Sequence, residues 1–220
     1  MVYLNNGQRV CYTDNNFIGK GTCGKIYLLD NNRCLKLYDE ECTKKMEKGI
    51  FSLLKIYKLD NYYVLYDLVY DENKSNIGYI SKYYRPSETN LLLMPMEYIV
   101  YNYNRIYESL MILTNNGVLA KDLYYKNVII GDDEMTVIDA DSYVYEKCDY
   151  EVLKSRNLSY LSYLFKGLYQ DEAAKLGINL ELDKTAYNKV METFYTGDLT
   201  PKTLSKKLSS YNKGIDLIKR

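Results

Sequence analysis

The glycine-rich segment near the N-terminus constrains the fold more than any other part of the sequence. Three glycines occur there with the spacing GxGxxG, at Gly19, Gly21 and Gly24. Such a loop binds a dinucleotide only where it opens into a helix, whose N-terminus meets the pyrophosphate. In this chain it opens into an apolar run at residues 25–29 and, after a polar turn, a second run at 34–38. The sequence therefore predicts strand, loop and strand. A plain hairpin and a flap over ATP phosphates both have this pattern.

The hydrophobic periodicity divides the chain into a β-rich N-terminal part and a helical C-terminal part. In the N-terminal part we predict strands at 10–12, 17–18, 25–29, 34–38, 63–70 and 77–84, and one helix at 42–57. A polar connector at 85–90 separates the two parts. In the C-terminal part we predict a helix at 97–114, short strands at 127–130 and 135–139, and helix from residue 152 onward. The prediction is an α+β fold with a single domain, 1–220, made of an N-lobe at 1–83 and a C-lobe at 84–220.

The composition excludes several kinds of chemistry and of partner. The chain contains no His, so imidazole bases and His metal ligands are absent. Five cysteines, none with CxxC spacing, indicate neither a disulfide framework nor a zinc ribbon. A net charge of zero gives no basic field for nucleic acid. The most apolar stretch, 91–100, is too short to span a bilayer, and no signal-like segment begins the chain. We expect a cytoplasmic protein, or one delivered into a host cytosol without a classical signal peptide.

A lysine and a glutamate follow the glycine loop at informative positions. Lys36 lies in an apolar strand, where a cation could hold the α- and β-phosphates of a nucleotide. A lysine on an edge strand is often simply solvated. A phosphate-binding lysine needs a carboxylate to fix it, and Glu47 on the following helix is the predicted partner. Glu40 and Glu41 are closer in sequence but fall at the start of that helix.

Two loops in the C-terminal part carry the remaining polar groups. Asp122 and Asn127 are five residues apart between apolar runs. The Asp could accept a proton from an attacking hydroxyl, and the Asn amide oxygen could bind Mg²⁺. Asp139 ends a short apolar strand and is a hard-oxygen ligand suited to Mg²⁺, although one Asp at a strand end is more often a turn cap. The ordered set of loop, Lys, Asp-x4-Asn and Asp is what favours a phosphate site.

In this order the residues resemble the protein kinase-like superfamily. The glycine loop with Ile26 resembles the family's GxGxxGxV, and Lys36 and Glu47 resemble its strand Lys and helix Glu. Asp122 and Asn127 match HRDLKxxN, and Asp139 matches the Asp of DFG. The resemblance covers residues 17–168 and implies a bilobal fold with a hinge near 81–84, Mg²⁺ and ATP as cofactors, and transfer of the γ-phosphoryl group. It implies nucleotide contacts for the loop residues Gly19, Gly21, Thr22, Cys23 and Gly24.

The departures from the family pattern leave the substrate open. HRD is replaced by Ala120-Lys121-Asp122, and Lys126 could supply the charge of the family lysine that Tyr124 replaces. DFG becomes Asp139-Ala140-Asp141, and Asp141 adds a carboxylate to the predicted metal site. No APE-like segment follows. We therefore expect a compact Ser/Thr-type protein kinase. The alternatives are a small-molecule kinase acting on a hydroxyl-bearing metabolite or antibiotic, and a nucleotide-binding pseudokinase.

Overall fold

A seven-stranded antiparallel sheet forms the N-terminal part of the chain. The structure, a computed structural model, describes residues 2–177. The strands are β1 (Val2–Leu4), β2 (Arg9–Val10), β3 (Phe17–Gly21), β4 (Gly24–Asp30), β5 (Arg33–Tyr38), β6 (Leu65–Tyr70) and β7 (Asn76–Lys82). Their order across the sheet is β2-β1-β6-β7-β5-β4-β3. This arrangement confirms the predicted β-rich N-terminal part.

The strands that matter for the site are joined by tight hairpins. Gly21 pairs with Gly24, so Thr22 and Cys23 alone form the turn between β3 and β4. The next turn is closed by Asp30, whose carboxylate accepts hydrogen bonds from the Asn32 backbone at 2.9 Å and the Arg33 guanidinium at 2.7 Å. Strand β5 pairs with β4 on one side and with β7 on the other.

Three α-helices, two small strand pairs and three 3-10 helices (Asp14–Asn16, Leu91–Leu93 and Tyr125–Asn127) complete the regular structure of the described residues. The helices are α1 (Lys48–Tyr57), α2 (Met96–Asn115) and α3 (Tyr150–Lys175). The short strands are β8 (Val118–Leu119), β9 (Val128–Ile130), β10 (Met135–Val137) and β11 (Val144–Tyr145), with β9 paired to β10 and β8 to β11. The chain is thus a mixed α+β protein, as predicted. Helix α3 confirms the start of the predicted C-terminal helical region, and the prediction for 178–220 lies outside the described residues.

Helix α1 begins later than the sequence pattern predicts. It starts at Lys48 rather than near residue 42, with Glu47 as its N-cap. The preceding segment is held in a different conformation, because the Cys42 amide donates a hydrogen bond to the Asp39 carbonyl oxygen at 3.0 Å. The Met46 amide bonds the Tyr38 hydroxyl, also at 3.0 Å. Tertiary contacts therefore override the helical tendency of residues 42–47.

One hydrophobic cluster connects the sheet with the helices. It contains Leu54 from α1, Tyr79 from β7, Leu110 from α2 and Leu164 from α3, all buried. A smaller cluster around Leu35 and Val69 covers the other face of the sheet. None of the helices within residues 2–177 combines the length and apolarity that a bilayer crossing requires.

Candidate active site

Two adjoining cavities lie where the sheet meets the helical part. The apolar cavity has a volume of about 150 Å³, and the polar cavity about 810 Å³. The walls of the apolar cavity include Ile18, Ile26, Tyr79, Tyr84, Ile129 and Ile138. Asp139 lines both cavities, so its carboxylate marks their junction.

Lys36 is the buried cation at this junction. Its ammonium donates to Asp139 Oδ1 at 2.7 Å and to Asp141 Oδ2 at 2.6 Å. Only 7% of its side chain is exposed. Burial alone would lower the pKa of Lys36, but the two carboxylates outweigh it and the pKa is raised. Lys36 is therefore charged at any physiological pH.

Asp141 holds Lys36 from inside the protein. Its Oδ2 accepts from Lys36, and its Oδ1 accepts from the Tyr38 hydroxyl at 3.0 Å. Burial, against the opposing charge of Lys36, raises the pKa of Asp141 to about 7. Burial acts on Asp139 in the same direction, but there Lys36 prevails and the pKa is lowered. The predicted metal role of Asp141 stays a prediction: Asp141 lines the polar cavity, but both of its oxygens already accept hydrogen bonds and its side chain is only 4% exposed.

Glu47 does not fix Lys36. Its side chain is exposed at the start of α1, and it forms no ion pair with any residue of the described range. The predicted pairing of these two residues is wrong because residues 42–47 are not helical, which moves Glu47 to the N-cap. Asp141 supplies the carboxylate instead.

Asp122 lies at the wall of the polar cavity with its carboxylate half-exposed. Its Oδ2 accepts from the Lys44 ammonium at 2.8 Å and from the Ser142 hydroxyl at 2.6 Å. These hydrogen bonds hold the pKa of Asp122 below its ordinary value. Asp122 and Asp139 both have left-handed backbones, with φ of 61° and 63°. Non-glycine residues in that conformation carry strain and occur often in functional sites.

A buried asparagine on α3 fixes the loop that carries Asp122. Asn157 accepts from the Ala120 amide and donates to the Thr114 hydroxyl and the Val118 carbonyl, each at 2.9 Å. Its side chain is fully buried. All of its hydrogen bonds are therefore made inside the protein, where an unmade one is costly. The loop position follows from the packing of α3.

Asn127 and Asp139 are the groups that could hold a divalent cation in the polar cavity. The Asn127 amide nitrogen donates to the Asp122 carbonyl at 3.0 Å, which leaves the amide oxygen to act as a ligand. Within residues 2–177 no group of three or more Asp, Glu, Cys or His side chains could hold a metal ion. Mg²⁺ commonly takes one or two protein ligands and completes its shell with water and phosphate. The two residues therefore fit a cation that arrives with a phosphorylated ligand.

In the glycine loop, residues 19–24, some residues line the polar cavity and others serve only the packing of the sheet. Gly21, Thr22 and Cys23 line the polar cavity. Gly19 and Gly24 line neither cavity. A Cβ on Gly24 would lie 2.1 Å from the Leu37 carbonyl oxygen, so strand packing alone requires glycine there. The predicted contacts of Gly19 and Gly24 with a nucleotide remain predictions.

The lysine that contacts Asp122 comes from an unexpected part of the chain. Lys126 lines the polar cavity, and its ammonium lies over the Tyr125 ring, 5.8 Å from the ring centre, so its predicted catalytic role stays a prediction. Lys44, between β5 and α1, bonds Asp122 instead. Tyr38 and Ser142 are two further site residues that were not predicted from the sequence. Tyr38 lies two residues after Lys36 and Ser142 directly follows Asp141, but their contacts join segments 103 and 20 residues apart, which no local pattern marks.

No protein-family model matches the chain, and no curated protein matches its sequence. The fold and site define an α+β protein with a buried lysine between carboxylates at the junction of an apolar and a polar cavity.

Proposed function

We propose that this chain is an ATP-dependent phosphotransferase with a bilobal, protein kinase-like fold. One observation carries the proposal. Lys36, Asp122, Asn127 and Asp139 come from separate segments, and all of them line the two adjoining cavities. The sheet with α1 corresponds to the N-lobe, and α2 with α3 to the C-lobe.

The two cavities would bind different parts of Mg-ATP. The apolar cavity, with its aliphatic and tyrosine walls, suits the flat adenine ring. Lys36 stands at the junction and can bind the α- and β-phosphates. The γ-phosphate then enters the polar cavity beneath Gly21, Thr22 and Cys23. Asp139 and Asn127 would hold Mg²⁺, which supplies positive charge to the phosphate oxygens when bound.

Asp122 accepts the proton from the acceptor hydroxyl. The carboxylate is ionised at neutral pH, although the hydrogen bonds that lower its pKa also make it a weaker base. A positioned base of this kind contributes roughly 10²–10⁴ in rate. The bond between γ-phosphorus and the acceptor oxygen forms as the bond to the β,γ-bridging oxygen breaks. ADP leaves with that oxygen.

The acceptor in the first instance is a Ser or Thr hydroxyl of a protein. A small hydroxyl-bearing molecule is the second candidate, and the short connection to α3 favours it. Residues 142–149 contain only β11 before α3 begins at Tyr150. That leaves little chain on which a peptide could dock. The five free cysteines suit the reducing cytoplasm expected for either enzyme.

The test is phosphoryl transfer from γ-labelled ATP with Mg²⁺, using the full chain alone, with a generic acceptor protein, and with a metabolite pool. We expect label on protein, or ADP formation that depends on the pool. Asp122→Asn should lower the rate by roughly 10²–10⁴. ATP binding without turnover in any mixture would overturn the proposal and leave a pseudokinase.

A further inference from the structure

Ser142 presents a hydroxyl to the carboxylate that we assign as the base. Its Oγ donates to Asp122 Oδ2 at 2.6 Å. The residue is half-buried and lines the polar cavity together with Asn127 and Asp139. An acceptor hydroxyl must make this same hydrogen bond before it attacks. The chain therefore places one of its own hydroxyls where a substrate hydroxyl belongs.

The position of Ser142 is fixed by its neighbours on both sides. Asp141 is buried and bonded to Lys36 and Tyr38. Tyr143 is 1% exposed, and its amide bonds the Ala140 carbonyl at 3.1 Å. A turn with two buried side chains allows the residue between them little freedom. The direction of the Ser142 side chain toward Asp122 follows from the core.

We propose that Ser142 is a site of intramolecular phosphorylation, which rests on the proposed function. Ser142 Oγ forms a bond to the γ-phosphorus of ATP, and the bond from that phosphorus to the β,γ-bridging oxygen breaks. The hydroxyl proton passes to Asp122. ADP leaves with the bridging oxygen and its electron pair. The step needs no reactant besides Mg-ATP.

The product limits further transfer. Phosphoserine carries a charge of about −1.5 to −2 at neutral pH. Lys44 lies beside the acceptor position, with its ammonium 2.8 Å from the same Asp122 oxygen, and it can pair with the new phosphate. A phosphate held there occupies the acceptor position and repels an incoming γ-phosphate. Modified chains are therefore slow toward other acceptors.

The experiment is a time course of the full chain with Mg-ATP, followed by intact mass and by peptide mapping. We expect one phosphoryl group on the peptide containing Ser142, at a rate independent of protein concentration. Ser142→Ala and Asp122→Asn should lack it. Ser142→Thr should carry phosphothreonine, and Ser159→Ala, which alters an exposed serine on α3, should match the wild type. Ser142→Ala should also transfer faster to an added acceptor at late times.

The outcomes separate this inference from the function on which it rests. Label on an added acceptor without label on Ser142 would overturn the inference and keep the phosphotransferase. A modification rate proportional to protein concentration would also overturn it, since one chain would then be modifying another. No transfer to any acceptor would overturn both. A thermal unfolding curve for Ser142→Ala like that of the wild type shows that missing label is not caused by unfolding.

Discussion

At the scale of single residues, the site is organised around one buried lysine shared by two carboxylates. Lys36 has both partners within 2.7 Å, and the Tyr38 hydroxyl supports the inner carboxylate. Removing one partner of a buried ion pair lowers the free energy of unfolding by several kcal/mol, because the other charge is left uncompensated. The lysine is thus positioned by β5 and the loop after β10. Helix α1 takes no part in holding it.

Removal of the inner carboxylate should weaken nucleotide binding. In Asp141→Asn, assayed above pH 7 where Asp141 of the wild type is mostly ionised, Lys36 loses a charged partner and its ammonium is less well positioned. We therefore expect the Kd for a fluorescent ATP analogue to rise by about tenfold or more, on the order of 1.4 kcal/mol or above. Glu47→Gln, at the exposed N-cap, should leave that Kd unchanged. If Glu47→Gln weakens binding as much as Asp141→Asn, helix α1 holds the lysine after all.

The thiol in the glycine turn should react slowly at neutral pH. Burial, together with a hydrogen bond that the Cys23 thiol donates to the Cys42 sulfur, raises the pKa of Cys23 to about 11. A raised pKa keeps the thiol protonated below that value, and only the thiolate is alkylated. Iodoacetamide should therefore label the exposed Cys11 and Cys148 first. Labelling of Cys23 should rise about tenfold for each pH unit up to its pKa. Peptide-level mass spectrometry at several pH values measures this, and preferential labelling of Cys23 at neutral pH would contradict it.

At the scale of elements, packing requires glycine at one of the loop positions and not at another. A Cβ at Gly24 would meet the Leu37 carbonyl at 2.1 Å, whereas a Cβ at Gly19 would meet nothing within 4 Å. Gly24→Ala must push β4 away from β5, and we expect it to lower the free energy of unfolding by about 1–3 kcal/mol or more. Gly19→Ala should change it by less than about 0.5 kcal/mol. Urea unfolding of both variants gives the comparison, and equal stabilities would contradict the packing explanation.

Elements with a clear period could be predicted, and those made by tertiary contact could not. The strands after the glycines and the long helix α2 follow from runs of apolar residues and fall within a few residues of their predicted bounds. Strands β8 and β11 are two residues each and carry no pattern of their own. The start of α1 was mispredicted because the Met46 amide donates a hydrogen bond to the hydroxyl of Tyr38 on β5, a contact that no helical pattern shows.

At the scale of the whole molecule, the ordered set of polar motifs was predicted to form one phosphate site, and its residues line two adjoining cavities. The ion pair between Lys36 and Asp139, 103 positions apart, was not predicted, because Glu47 was expected as the partner of the lysine. The sequence could not indicate that the segment between β5 and α1 returns to the site, so Lys44 went unnoticed although it bonds Asp122. Motif spacing identifies residues on separate elements, but the course of an irregular connection depends on the packed structure around it.

The sheet and the helical part should unfold together, because the core and the backbone cross their boundary. One buried cluster includes residues of α1, β7, α2 and α3. The amide of Tyr63, which precedes β6, donates a hydrogen bond to the carbonyl oxygen of Val137 in β10 at 2.9 Å. A domain with one continuous core unfolds in a single transition. We expect far-UV circular dichroism and tyrosine fluorescence, which the 27 tyrosines make strong and no Trp obscures, to report the same urea midpoint.

A buried and an exposed substitution test that cooperativity. Leu110 on α2 is fully buried, and Leu110→Ala should lower the free energy of unfolding by about 2–5 kcal/mol. Ile56 on α1 is 75% exposed, and Ile56→Ala should change it by less than about 0.5 kcal/mol. Because α2 and the sheet share the cluster, the Leu110→Ala midpoint must move equally for both probes. A shift in one probe alone would mean that the sheet and the helical part unfold independently. The two cavities between them could then open while each part stays folded.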